Sequence, residues 1–296
     1  MINKKNIDRP DWTKLIKNKK IDLTKNVHHD RLLNDKIKDV IASTDFLVNY
    51  ANDYDLYVSI CNYYKIPIRG TAIGFGATDL IYRVLNSIEI DCLYIVSPSF
   101  MMVDVYCKMI GMKYKFIELS EINNLKDVNN SGVYFVNPNG VNGEAHDLRE
   151  YKDKFKWFIV DEVYSDFYDT HSLINEISDN TVIIKSISKS LGFAGLRVGF
   201  CCGSLELINE VQKYRMSQIT TSIASLVIPK IINMTPQVVE RMLETKNYLE
   251  NKFDCKKSLS NYVLFKNKNI YTEKFGAKFI EGHYRMALAD MDTLNG

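Results

Sequence analysis

Short apolar runs alternate with amphipathic stretches along most of this chain. LYIVS at 93–97, YKFIEL at 114–119, VYFVN at 133–137, FIVDE at 158–162, VIIKSIS at 182–188 and VGFCC at 198–202 are apolar nearly throughout. Runs of that length and composition predict strands buried on both faces of a sheet. The spacing predicts helices over Arg31–Asn49, Tyr54–Tyr64 and Ser99–Gly111, where apolar residues recur at every third or fourth position. Strands separated by helices make a doubly wound, mostly parallel α/β domain.

After Gly203 the pattern changes. Helical periodicity covers Leu205–Arg215, Ser222–Ile232 and Pro236–Phe253, the last with Thr235 as N-cap and proline at N1. YVLFK at 262–266 and YRMALA at 284–289 are strand-like. The expected organisation is an N-terminal arm over 1–45 that joins the small domain, a large α/β domain over 46–210, and a shortened α+β domain over 211–296. No internal repeat or low-complexity linker interrupts it.

Composition narrows the function classes. The 296 residues are 46% hydrophobic and 25% charged, as in ordinary globular chains. With 38 Lys+Arg against 36 Asp+Glu the net charge is +2, which argues against nucleic acid or an anionic membrane as partner. The basic start, Lys4–Lys5 and Lys17 to Lys20, reads as solvated surface. No apolar stretch resembles a secretory signal, and none is long enough to cross a bilayer. Cys61, Cys92, Cys107, Cys201, Cys202 and Cys255 contain no CxxC pair. Reduced thiols and a cytoplasmic location are therefore expected.

Three segments carry chemistry. In Ser186-Ile-Ser188-Lys189-Ser-Leu-Gly-Phe-Ala-Gly195-Leu-Arg197-Val-Gly199 a lysine follows a buried strand and an arginine follows eight positions later. A lysine there is costly unless its amine has a task, and a neutral amine can condense with an aldehyde. Hydroxyls at Ser186 and Ser188 with the Arg197 guanidinium suit a phosphate. The alternative is a surface turn rich in Ser and Gly. Asp161-Glu162-Val163-Tyr164 ends an apolar strand; a Walker B reading fails because no G-x-x-x-x-G-K-[ST] occurs. In Gly74-Phe-Gly76-Ala77-Thr78-Asp79 a glycine turn opens a helix whose free N–H groups suit an anion. A dinucleotide fingerprint would need a third glycine where Asp79 stands. His28 and His29 are adjacent, so their side chains diverge, and a metal site is not expected.

Together these segments resemble the motifs of the class I/II, fold type I aminotransferases that use pyridoxal 5'-phosphate (PLP), most of all the histidinol-phosphate aminotransferase branch. That branch is typified by S-[IL]-S-K-x-x-x-x-A-G-L-R-x-G. The resemblance implies the PLP-dependent transferase fold, with Lys189 holding PLP as a Schiff base and shuttling the proton. It implies that Asp161 pairs with the pyridine nitrogen and Tyr164 with the phenolic oxygen of the cofactor. Gly76, Ala77, Thr78, Ser186, Ser188 and Arg197 would anchor its phosphate. Phe100, in Pro98-Ser99-Phe100, would stack on the ring, and Tyr50 would reach the phosphate of a partner subunit in a homodimer. Asn26 would stand at the substrate entrance and Arg285 would bind the substrate carboxylate or phosphate.

The sequence departs from the family at Asn137-Pro138-Asn139-Gly140-Val141-Asn142-Gly143. The family's N-P-N-N-P-T-G puts a cofactor-contacting asparagine where Gly140 stands. Asn139 or Asn142 replaces it, or Tyr164 acts alone. No arginine precedes Arg285 in YTEKFGAKFIEGHYR, so one of the branch's two arginines is missing. The implied activity moves an amino group between an amino acid, or an amino-alcohol phosphate such as histidinol phosphate, and a 2-oxo acid. The same motifs also fit a decarboxylase resembling threonine-phosphate decarboxylase, or a non-catalytic binding protein on this fold.

Overall fold

The computed structural model of the chain describes residues 21–42, 50, 52–217 and 220–296. The lysines at 4–5 and 17–20, and the part of the expected first helix over 43–49, lie outside the described residues.

Seven strands form the large sheet. They are β1 (Thr71–Phe75), β2 (Leu93–Val96), β3 (Tyr114–Ile117), β4 (Gly132–Val136), β5 (Trp157–Asp161), β6 (Thr181–Ser186) and β7 (Val198–Cys202). Their order is β1-β7-β6-β5-β4-β2-β3. β7 runs antiparallel to both β1 and β6, and the other pairs are parallel. The C-terminal ends of β1 to β6 therefore share one edge with the N-terminal end of β7. That edge of an open α/β sheet is where ligands bind.

Period-two alternation explains both faces. Ile159, Val182 and Ile184 join one buried cluster; Phe158, Val160 and Ile183 join the other. Helices α1 (Arg31–Ala42), α2 (Tyr54–Tyr64), α3 (Ala77–Ser87), α4 (Met102–Ile110), α5 (Ile187–Ser190), α6 (Leu205–Lys213), α7 (Ser222–Ile231) and α8 (Thr235–Lys252) surround the sheet. Leu80, Ile81, Val84, Leu207, Ile208 and Val211 of α3 and α6 cover the first face. Leu33, Leu56, Ile60, Val227 and Ile228 of α1, α2 and α7 cover the second.

The smaller sheet has the order β10-β11-β9-β8, from β8 (Cys255–Lys256), β9 (Tyr262–Phe265), β10 (Lys278–Ile280) and β11 (His283–Ala287). Val239, Met242 and Leu249 of α8 pack with it, as do Leu23 and the short helix α9 (Ile270–Phe275).

Two expectations need correction. Thr235 is not an N-cap: it is helical at φ −50° and ψ −47°, and Met234 holds the cap position. Its Oγ1 bonds Ile232 O at 2.6 Å, because a 3-10 turn carries α7 directly into α8. The joined run Ser222–Lys252 is thus, by length and composition, apolar enough to cross a membrane, contrary to the expectation that none is; half of that apolar window is buried within the protein. Each core draws on separate parts of the chain. Leu33, Ile37 and Val40, and residues from Ala224 to Val238, share the large core, whereas Leu23 and Val239 belong to the small one.

Candidate active site

Along the shared edge the ends of β1, β5, β6 and β7 deliver expected residues. β1 stops at Phe75 and α3 starts at Ala77, with Gly76 turning between them at φ 80°. A Cβ on Gly76 would stand 2.4 Å from Arg197 Nη2, so only glycine lets the guanidinium lie against this turn. No side chain caps α3. Its first N–H groups, including those of Ala77 and Thr78, have no intrahelical partner. Arg197, at φ 56°, donates from Nη1 to Ala194 O at 3.0 Å and from Nη2 to Phe75 O at 3.2 Å. A helix N terminus beside a guanidinium is an anion cradle.

β6 enters the same edge in register, with Ser186 opposite Gly199. The Ser186 hydroxyl lies 2.9 Å from Ser188 Oγ and 3.0 Å from Val198 O, and it accepts the Ser188 N–H as the N-cap of α5. That one-turn helix carries Lys189. The Lys189 amine donates to Asn26 O at 2.9 Å and lies 5.8 Å from the Tyr164 ring centre. Burial lowers its pKa to about 8, helped by Arg285 and Arg197 and opposed by Asp161.

Asp161 ends β5 and is buried. Burial raises its pKa to about 6, against hydrogen bonds from Tyr134 Oη at 2.8 Å and Val163 N at 3.2 Å. The sequence reading missed Tyr134, because one tyrosine in an apolar strand looks like core. Only register reveals it: Tyr134 pairs with Ile159, whose side chain shares a sheet face with Asp161.

Gly140 lies against the Tyr164 ring. A Cβ there would stand 2.7 Å from Tyr164 Cε2, so the ring as placed leaves no room for a side chain at this position. Neither nearby asparagine turns its amide to Tyr164. Asn139 bonds Pro98 O at 2.6 Å and accepts Val141 N–H at 2.8 Å; Asn142 bonds Glu144 at 3.0 Å. Instead Asn26 Nδ2 donates to Tyr164 Oη at 3.2 Å, from a left-handed residue at φ 53° in the N-terminal segment. Burial raises the Tyr164 pKa, opposed by Asn26 and Arg285. Arg285, from β11 of the small sheet, is buried and donates from Nη1 to Gly140 O at 2.7 Å. The site therefore lies where the two sheets meet.

Other expected residues sit further out. Phe100 is half-buried and packs beside the core of α3 and α4. Tyr50 is 87% exposed. His28 lies under the lysine turn, with Nε2 2.9 Å from Ser190 O, and burial lowers its pKa to about 4. His29 faces Asn34 and Thr293 instead, so the two rings diverge as adjacent side chains must. Among the described residues no group of His, Cys, Asp and Glu could hold a metal ion. A cavity of about 470 Å³ lies between the ends of β2 and β4, bordered by Pro98, Asn137 and Asn139. Lys189, Asp161 and Arg197 do not line it.

These residues fit a planar cofactor bearing an aldehyde and a phosphate. A crowded amine, a buried carboxylate and an anion cradle share one rim. Two buried polar atoms of the site, Asn26 Oδ1 and Arg285 Nε, have no hydrogen-bond partner within the protein, which fits a polar ligand there.

Comparison with known proteins agrees. The family model "aminotransferase class I and II" matches residues 73–272. A histidinol-phosphate aminotransferase of Clostridium beijerinckii is 27% identical over 240 residues, which are 73% of this chain and 66% of that protein. The chain thus spans about two thirds of that relative's length. Among solved structures, the histidinol-phosphate aminotransferase of Clostridium acetobutylicum superposes with a TM-score of 0.72 at 20% identity, covering 93% of this chain and 96% of that one. The L-threonine-O-3-phosphate decarboxylase of Porphyromonas gingivalis superposes with a TM-score of 0.70 at 17% identity, covering 93% and 96%. At those identities the superpositions establish the fold.

Proposed function

The chain belongs to the class I and II aminotransferases, and from that premise we propose that it is a PLP-dependent aminotransferase. It moves an amino group between an amino acid, or an amino-alcohol phosphate such as histidinol phosphate, and a 2-oxo acid. The observation that carries this reading is the placement of Lys189 on the same rim as Asp161, the Gly76–Arg197 cradle and Arg285.

PLP, when bound, supplies an aldehyde for the amine and an electron-withdrawing ring that makes the substrate Cα–H acidic. The residues divide the remaining work. Ala77 and Thr78 amides, with Ser186, Ser188 and Arg197, would hold the phosphate. Asp161 would accept a hydrogen bond from the ring nitrogen and keep it protonated. Tyr164, oriented by Asn26, would meet the phenolic oxygen. Lys189, whose pKa near 8 leaves part of its amine neutral at physiological pH, would be the amine available to the aldehyde and the group that holds and moves a proton at Nζ. Arg285, with its guanidinium steadied by Gly140 O, orients the substrate acid group. Orientation decides which bond on the substrate carbon breaks.

A homodimer is part of this proposal, supported by the exposure of Tyr50, which is offered to a second subunit rather than to its own site. Sedimentation would test it; a stable, active monomer would contradict it. We also place the enzyme in the cytoplasm, a reading supported by its free thiols.

The test is amino transfer with a panel of donors including histidinol phosphate. The proposal expects amino-acid formation from a 2-oxo acid in step with donor loss. Release of carbon dioxide without amino transfer would make the protein a lyase instead.

A further inference from the structure

Arg83 is 1% exposed and is the largest fully buried side chain among the described residues. A buried guanidinium is costly unless its donors are matched. Arg83 matches them with Ile73 O at 2.9 Å, Val211 O at 3.1 Å, Gln212 Oε1 at 3.3 Å and Asp79 Oδ2 at 3.4 Å. Asp79 Oδ2 in turn accepts the Phe75 N–H at 3.0 Å, and Phe75 O accepts from Arg197 Nη2 at 3.2 Å. A Cβ on Gly74 would stand 2.5 Å from Asp79 Oδ2, so glycine is what admits the carboxylate.

We propose that Arg83 is a positioning residue for the anion cradle, holding the β1–α3 turn and Arg197 in place through Asp79 and Phe75. The proposal rests on the reading of that cradle as the holder of the PLP phosphate. Two effects act together. The bond from the Phe75 N–H to Asp79 Oδ2 holds the residue whose own carbonyl, in the next peptide unit, accepts from Arg197. Arg83 also neutralises Asp79, a carboxylate on the first turn of α3, where it would otherwise repel an anion. The third glycine expected of a dinucleotide site is absent here because Asp79 serves this turn.

A purely structural role is the competing account. β1 is an edge strand, and Tyr57 Oη and Arg83 satisfy the N–H and C=O of Ile73 on its open side. The experiment separates the two by comparing PLP with pyridoxal, which lacks the phosphate. Apo wild type, Arg83→Met and Arg83→Lys are titrated with each compound by absorbance, and thermal midpoints are recorded. The proposal expects Arg83→Met to weaken PLP binding about tenfold while pyridoxal binding changes less than about twofold. Equal losses for both compounds, or no loss for either, would overturn it. Should Arg83→Met fail to fold, Arg83→Lys decides: it keeps the charge but not the fork. It should lose PLP selectively to a smaller degree; an unselective or absent loss overturns the proposal. If wild type binds no PLP, the proposed function fails instead.

Discussion

Tyr134 donates its phenolic hydrogen to Asp161 Oδ2 across 2.8 Å, from β4 to the end of β5. Burial and the neighbouring carboxylate push the Tyr134 pKa well up, so it remains a donor. The bond favours the ionised carboxylate, while burial disfavours it and brings the pKa to about 6. Tyr134→Phe removes the favourable contribution. The acid limb of the kcat/KM profile should then move up by about one pH unit. An unmoved limb would mean that Asp161 does not set it.

His28 gives a stability signature. Its folded pKa is about 4 against an ordinary 6.5, so between those values the unfolded chain binds the extra proton. Stability should be full above pH 6.5 and fall as pH drops toward 4, by at most about 3 kcal/mol. His28→Gln, which keeps a donor for Ser190 O, should flatten that part of a urea-midpoint profile. An unchanged acid slope would assign the loss to other groups.

Gly140→Ala tests the contact of Gly140 with the Tyr164 ring. The new Cβ would press on Tyr164 Cε2, so the ring must move away from Asn26. The expected cost is about 1–3 kcal/mol in thermal stability, with weaker PLP binding. A variant that binds PLP as well as wild type would show that the ring position does not matter to the site.

Arg285→Ala should lower kcat/KM for the amino donor about a hundredfold with PLP affinity nearly unchanged. Removing this cation should also raise the pKa of the Lys189 amine in the apo protein, because Arg285 is the second cause of its depression. Titrating amine reactivity against pH would measure that shift. A variant that loses PLP and substrate equally would contradict the assignment to substrate.

The large sheet was legible because its strands are apolar on both faces, as in VIIKS of β6. β1 was read only as a glycine turn: Thr71–Phe75 contains a glycine and is short, so its period is weak. Lys189, Asp161, Tyr164, Gly76 and Arg197 stood out as candidates because local motifs carry them, and the fold brings them to one edge. Tyr134 and Arg83 did not stand out, since Asp161 lies 27 positions from Tyr134 and two partners of Arg83, Val211 and Gln212, lie 128 and 129 positions away, so only register or helix packing brings them together. The role of Asn26 in orienting Tyr164 was hidden for the same reason, at a separation of 138. Thr235 misled because Thr-Pro is a strong start signal, whereas the preceding turn was already helical.

The central claim is that Lys189 is the residue that binds PLP covalently. An absorption spectrum of the purified protein with PLP, taken beside Lys189→Ala, tests it most directly. The account predicts a visible band in wild type that borohydride fixes onto the chain and an amino donor shifts, and no such band in Lys189→Ala. A wild-type protein with no band, or a variant that keeps it, would contradict the assignment of Lys189 and the function built on it.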